Sequence, residues 1–81
     1  LLGCTIIYFK KYIAKKFYPH PDTGEKMTWS NHSLKGWHID HIKPLSKFDL
    51  EKESEQKKAF NYKNCQPLWA FENLEKGNKE D

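Results

Sequence analysis

Apolar residues recur at helical spacing near the start of the chain and then give way to turn residues. One stripe is formed by Ile6, Phe9, Ile13 and Phe17. This spacing predicts an amphipathic helix over Thr5–Tyr18, with Thr5 as its cap and Pro19 ending it. We therefore expect a supporting helix within residues 1–18. An irregular loop should follow over residues 19–36, with Met27 and Trp29 as core anchors.

The second half of the chain alternates between strand-like and helix-like patterns. Residues 37–44 predict one strand and residues 64–69 a second, in which Pro67 favours an edge or irregular position. Residues 46–61, between them, indicate a loop and a short helix with early glutamates and late lysines, the order that the helix dipole favours. A last helix is predicted over Ala70–Lys76, ended by Gly77. We expect the apolar residues of this half in the core: Trp37, Ile39, Leu68, Trp69, Phe71 and Leu74.

The length of 81 residues allows one small domain, and an aromatic share of 15% supplies a dense core for it. No apolar run approaches the roughly 20 residues that cross a membrane, so we expect no membrane partner. The two cysteines, Cys4 and Cys65, form no CxxC pair, which argues against a structural zinc site. Lone cysteines are typical of an intracellular protein with free thiols, although a Cys4–Cys65 bridge stays open.

The charge of the chain comes from 14 lysines and 11 acidic residues, with no arginine, for a formal net charge of +3. Lysine meets phosphate as a point charge, whereas reading of bases in the major groove relies on the arginine fork. If the partner is DNA, this chain should hold the backbone more than it reads sequence. A solvated lysine-rich surface explains the charge equally well.

Candidate chemistry is concentrated in three short blocks over residues 36–77. Asp40-His41 sets a hard oxygen ligand beside a group that titrates near neutrality, and Asn73 adds an amide oxygen on the last helix. Carboxylate and amide oxygens suit Mg²⁺, and phosphodiester hydrolysis needs a base and a cation. Positive charge to hold the backbone comes from four lysines: Lys43, Lys63, Lys76 and Lys79.

The three blocks resemble the HNH endonucleases, especially the small enzymes of phages and large viruses. The blocks are Trp-His-Ile-Asp-His-Ile-x-Pro-Leu, then Asn-x-Gln-Pro-Leu-Trp-Ala, then Asn-Leu-x-Lys-Gly. The resemblance implies an α+β fold: a ββα-metal (His-Me finger) core over residues 37–77, with an additional N-terminal amphipathic helix, in a single domain over residues 1–81. It also implies a viral or phage origin and a place in the cytoplasm or nucleus of a host cell.

The resemblance implies a role for each motif residue. His41 would be the general base, and Asn64 would brace the loop between the strands and help to orient that base. Asp40 and Asn73 would hold one divalent cation, and Asn73 favours Mg²⁺ or Mn²⁺ over zinc. Relatives often carry paired cysteines for a structural zinc, which this chain lacks. DNA would be the partner, bound mainly through its phosphate backbone. A second copy of the chain or an upstream domain would be a further partner.

Several alternatives stay open at this point. His38 could be a second ligand, a phosphate contact or, as we favour, a satisfied and partly buried histidine. Lys76 could contact DNA or complement the end of its helix. Side chains alternate along a strand, so Asp40 and His41 should point to opposite faces unless the strand ends or bulges there. A non-catalytic DNA-binding module and a toxin of the same fold are the competing functions.

Overall fold

The computed structural model describes residues 2–77. Within them, the chain is a small α+β domain of three helices and a two-stranded antiparallel sheet. The elements in chain order are α1 (Ile6–Ala14), β1 (Trp37–His41), α2 (Glu53–Phe60), β2 (Cys65–Trp69) and α3 (Ala70–Lys76). Single 3₁₀ turns lie between them at Trp29–Asn31, Leu45–Lys47 and Tyr62–Asn64.

The first helix forms where its apolar spacing predicts it, but it is shorter than predicted. Thr5 caps it by accepting a hydrogen bond from the Tyr8 amide at 3.1 Å. The helix ends at Ala14 rather than Tyr18, because the amides of Lys16 and Phe17 donate three residues back and tighten the turn. Phe17 is thereby free to pack edge-on against Trp37, at 5.1 Å between ring centroids. Ile6, the first residue of the apolar stripe, lies outside the core and is 65% exposed.

The core lies between α1 and one face of the sheet. Its buried residues are Phe9, Ile13, Met27, Trp37, Cys65 and Trp69. Both tryptophan indoles donate to backbone carbonyls, Trp37 to Thr28 at 2.5 Å and Trp69 to Tyr18 at 3.3 Å. These bonds fix the loop before β1, and Met27 is buried there as predicted. Leu74 was wrongly predicted in the core, since it is 81% exposed.

Both strands are shorter than their sequence patterns predict. β1 ends at His41 rather than at Pro44, and β2 begins at Cys65 rather than at Asn64. The register pairs Asp40 with Gln66 and His41 with Cys65. The pairing is maintained one step further by the Ile42 amide, which donates to the Asn64 carbonyl at 2.8 Å. After this last hydrogen bond the two chains separate, so His41 is the last residue of β1.

The helix α3 follows β2 without an intervening loop. The Ala70 amide donates to the Gly36 carbonyl at 2.8 Å, which ties the start of α3 to the start of β1. Glu72 accepts from the Trp69 amide at 3.2 Å and also from the Tyr18 hydroxyl. Gly77 ends the helix with a positive φ of 39°, as the sequence predicts. These bonds fix α3 against the sheet.

Candidate functional site

Alternation along β1 divides its polar residues between two faces. His38 and Asp40 lie on the face that meets α3, where they contact Asn73 and Lys76. His41 lies on the other face, where its ring meets that of Phe60 in α2 edge-on at 5.9 Å. The prediction that Asp40 and His41 point to opposite faces is confirmed. His41 is also the last residue of the strand, so both side chains are at the same end of the sheet.

Asp40 is held by one neutral and one charged donor. Its Oδ2 accepts from Gln66 Nε2 at 3.0 Å and from Lys76 Nζ at 2.5 Å. The Asp40 side chain is 12% exposed and that of Lys76 is 26% exposed. The ammonium of Lys76 also donates to the carbonyls of His41 at 2.6 Å and Ile42 at 3.4 Å. The Lys76 ammonium is thus bound by a carboxylate and two carbonyl oxygens at the end of β1.

The contacts of Lys76 add a third role to the two considered for it. It lies one turn after Asn73, which puts both side chains on the same side of α3. Its ammonium reaches across to β1 instead of standing in solvent or complementing the helix end. The DNA-binding role of Lys76 stays a prediction. In this structure its charge neutralises Asp40.

Asn73 is oriented by His38. The Nε2 atom of His38 lies 3.0 Å from the Leu34 carbonyl, which only accepts, so Nε2 carries the proton. In the neutral ring Nδ1 then accepts, and the Asn73 Nδ2 group donates to it at 2.8 Å. The Asn73 amide nitrogen is thereby engaged and its oxygen is directed away from His38. The favoured interpretation of His38 as a satisfied, partly buried histidine is confirmed, and the structure adds its partner.

Asn64 braces the chain just beyond β1. Its Oδ1 accepts from the Lys43 amide at 2.8 Å, and its Nδ2 donates to the carbonyls of Lys43 at 3.1 Å and Ala59 at 3.0 Å. One side chain therefore satisfies both backbone groups of Lys43 and links them to the end of α2. Because Lys43 is two residues after His41, this brace fixes the direction in which the chain leaves the base candidate.

The donor set at the end of β1 suits a hard divalent cation. The Lys76 ammonium occupies a position bounded by a carboxylate and two carbonyl oxygens. Oxygen donors of this kind are those that Mg²⁺ and Mn²⁺ prefer. Among residues 2–77, no three His, Cys, Asp or Glu side chains are grouped so that they could hold a metal. Asp40 with Asn73 is a different kind of set, one carboxylate and one amide.

The other predicted residues are less enclosed. Lys43 and Lys63 are both exposed beside the loop that Asn64 braces, while Lys79 lies outside the described residues. Cys4 and Cys65 are both free thiols, so the alternative of a bridge between them is not realised. Burial and then the charge of Asp40 raise the pKa of the Cys65 thiol. Cys65 is therefore held protonated and acts as an apolar core residue.

Sequence reasoning missed two supporting residues. Gln66 holds Asp40 from the facing strand, and the pairing of the two strands would have indicated it once the register was known. His38 was assigned as structural, but its link to Asn73 joins residues 35 positions apart and no local pattern reveals it. Supporting hydrogen bonds of this kind orient the groups that act directly on a ligand.

Comparison with known proteins gives relatives in a giant virus. The uncharacterized protein L426 of Acanthamoeba polyphaga mimivirus is 38% identical over 78 residues, covering 96% of this chain and 31% of the relative. The uncharacterized protein L246 of the same virus is 33% identical over 81 residues, covering 100% of this chain and 33% of the relative. The chain thus spans about a third of the length of these curated relatives. No family model and no solved structure matches the chain. Within the described residues, no helix is long and apolar enough to cross a membrane.

Proposed function

We propose that residues 37–77 form the ββα-metal core of an HNH-type endonuclease that hydrolyses DNA phosphodiester bonds with one divalent cation. The observation that carries the proposal is the arrangement of polar side chains along β1. A carboxylate and an oriented amide lie on one side of the sheet, and an imidazole lies on the other. The three sequence blocks that resemble HNH enzymes supply all of these residues.

Asp40 and Asn73 are the residues that would hold Mg²⁺ or Mn²⁺. Both present oxygen, and both are positioned by neighbours: Asp40 by Gln66, and Asn73 by His38. The cation, when bound, neutralises charge that develops on the phosphate and the leaving oxygen. His38 and Gln66 are positioning residues in this scheme, because they act through the two ligands.

His41 is the proposed general base. It lies at the last position of β1, where an imidazole can accept a proton from a water molecule that attacks phosphorus. A phosphate placed at this end of the sheet would be reached by Asp40 from one side and by His41 from the other. Asn64 keeps the following loop in place, so its role is to maintain the direction of approach. Lys43, Lys63 and Lys79 are proposed to hold the DNA backbone.

A non-catalytic DNA-binding module is the second candidate, and one observation favours it. The ion pair of Asp40 with Lys76 satisfies the carboxylate without any metal, as a purely structural aspartate would be satisfied. A binding module, however, needs neither an imidazole at the strand end nor an amide oriented by a histidine. The two candidates differ in whether Asp40, Asn73 and His41 hydrolyse bound DNA.

A plasmid-nicking assay separates these candidates. The 81-residue chain is incubated with supercoiled DNA in Mg²⁺, in Mn²⁺ and in chelator, beside Asp40→Asn and the matched surface control Asp22→Asn. The nuclease proposal expects metal-dependent nicking by the wild type and by Asp22→Asn, and loss of at least about a hundredfold in Asp40→Asn. Nicking that persists in chelator, or that is unchanged in Asp40→Asn, would contradict it. DNA binding without nicking under every metal condition would favour the binding module.

A further inference from the structure

An open groove lies beside the end of β1, between the chain that follows the strand and the last turn of α2. Its volume is about 460 Å³, and its lining includes four lysines: Lys43, Lys57, Lys58 and Lys63. The other lining residues are Phe48, Asn61 and Asn64. We refer to the space bounded by these seven residues as the basic groove. Of the four lysines, only Lys43 and Lys63 were predicted from the sequence to hold DNA, and the fold brings Lys57 and Lys58 of α2 to the same groove.

The basic groove is strongly positive because its lining contains no carboxylate. Among residues 2–77, Lys58 alone of the four lysines has an ion pair, with Glu55 at 3.5 Å. That pair is exposed on the lysine side, where such contacts contribute little. An anion bound in the groove would therefore lie near several lysine side chains of like charge. Their arrangement therefore favours a ligand with several negative charges.

The walls of the basic groove are fixed by hydrogen bonds. Asn64 holds both backbone groups of Lys43, and Asn61 accepts from the Lys63 amide at 2.9 Å. The Lys43 ammonium lies over the Phe48 ring, 4.5 Å from its centroid. The hydrogen bonds fix the backbone of Lys43 and Lys63. The contact with Phe48 also restricts the position of the Lys43 ammonium. A ligand therefore meets charges that are partly arranged before it binds.

The basic groove is also connected to the proposed base. Lys43 follows His41 by two residues, and the ring of His41 contacts Phe60, which precedes the groove residue Asn61. The volume is in the range of small-ligand pockets, which allows a few phosphate groups but not the width of a duplex. A ligand of this size that extends toward His41 matches a single strand of nucleic-acid backbone.

We propose that the basic groove binds the phosphodiester backbone of DNA next to the bond presented to His41. This deepens and rests on the proposed function, and it adds Lys57 and Lys58 to the residues that hold the substrate. The two α2 lysines bind phosphates that are not cleaved. Their role is to position the strand, and it requires neither the cation nor the base.

The test measures binding separately from cleavage. Fluorescence anisotropy with a labelled duplex of about 20 base pairs is recorded in chelator at several salt concentrations. The double variant Lys57→Gln/Lys58→Gln is compared with Lys11→Gln/Lys15→Gln, which removes the same charge from exposed positions on and next to α1. Thermal midpoints of both variants show whether the fold is kept. The groove variant should bind roughly tenfold more weakly, and its log–log salt slope should fall by about 2.

The comparison of the two variants decides the proposal. Equal losses in both variants would mean that only net charge matters, and no loss in the groove variant would mean that DNA lies elsewhere; either outcome overturns it. Amide NMR shifts on adding duplex give a second measurement, and they should be concentrated at residues 43, 57, 58, 61 and 63. Binding is measured in chelator, where the proposed nuclease does not cut, so it is independent of the nicking assay. Absence of nicking by the wild type in Mg²⁺ and in Mn²⁺ would refute the nuclease without touching the groove. Loss of groove binding with nicking retained would do the reverse.

Discussion

Replacing Lys76 by Met tests whether its ammonium competes with a divalent cation for Asp40. The substitution keeps an unbranched chain on α3 but removes the charge and the donors to Asp40, His41 and Ile42. Asp40 would then keep only the hydrogen bond from Gln66 at 3.0 Å. A cation that enters the site in the wild type must first displace the ammonium, and in the variant it need not.

The size of the effect follows from the contacts that are lost. A hydrogen bond to a charged group contributes about 1.5–3 kcal/mol. In the absence of metal, Lys76→Met should lose stability of that order, which lowers the melting midpoint of a chain of this size by roughly 10 °C. The same free energy no longer opposes the metal, so Mn²⁺ should bind at least about tenfold more tightly to the variant.

Isothermal titration with Mn²⁺, paired with melting curves at rising Mn²⁺, measures both effects. The midpoint of Lys76→Met should begin lower than that of the wild type and approach it as Mn²⁺ saturates the site, because a ligand stabilises the folded state that it binds. Lys11→Met on α1 is the matched control and should follow the wild type. The double variant Asp40→Asn/Lys76→Met should lose the metal response.

Two results would refute the reasoning. Equal Mn²⁺ affinities in the wild type and Lys76→Met would mean that the ammonium does not stand where a cation binds. A metal response that survives in Asp40→Asn/Lys76→Met would place the cation at other residues.

Other perturbations test the remaining parts of the site and fold. His41→Ala should lower single-turnover cleavage by about a hundredfold or more while duplex binding is kept; near wild-type cleavage would remove His41 as the base. Asn64→Ala breaks the hydrogen bonds to Lys43 and Ala59 and should lower the free energy of unfolding by about 1–3 kcal/mol in urea titrations, whereas an unchanged value would mean that the brace is not formed. Burial and the hydrogen bond to Glu72 raise the pKa of Tyr18 to about 12. Tyr18→Phe should therefore lower the free energy of unfolding by about 1 kcal/mol below pH 10. The difference between variant and wild type should vanish as the pH approaches 12, because the raised pKa means that only the protonated tyrosine stabilises the folded form. A difference in the free energy of unfolding that is constant with pH would contradict this. Since the chain has no arginine, competition among random duplexes should enrich no sequence; enrichment by about a thousandfold would show direct reading of bases.

Local patterns predicted the parts of the fold that local forces determine. The bounds of α3 follow from helix periodicity, and its end follows from the ease with which glycine adopts a positive φ, as Gly77 does. The separation of Asp40 and His41 onto opposite faces follows from the two-residue period of a strand. The early end of α1 does not follow in this way, because packing of Phe17 against Trp29 and Trp37 outweighs helix propensity there.

Contacts between distant residues could not be predicted from the sequence. Lys76 and Asp40 are 36 residues apart, and the motif places both at the site without indicating that they pair. Leu74 has the spacing of a core residue, but α3 has only seven residues and packs by the side that carries Asn73 and Lys76, so Leu74 remains in solvent. Its exposure depends on how the helix docks, which is a property of the whole domain.

The direct junction of β2 and α3 determines where this domain can change in length. An extra residue between Trp69 and Ala70 would rotate α3 by about 100° and carry it about 1.5 Å along its axis, which would turn Asn73 away from His38. The segment from Ile42 to Asn64, in contrast, leaves and re-enters the sheet at one point, and lengthening such a loop costs little free energy. Inserted segments or a grafted reporter should therefore be tolerated between Asp49 and Lys52, far along that excursion, and rejected at the strand–helix joint.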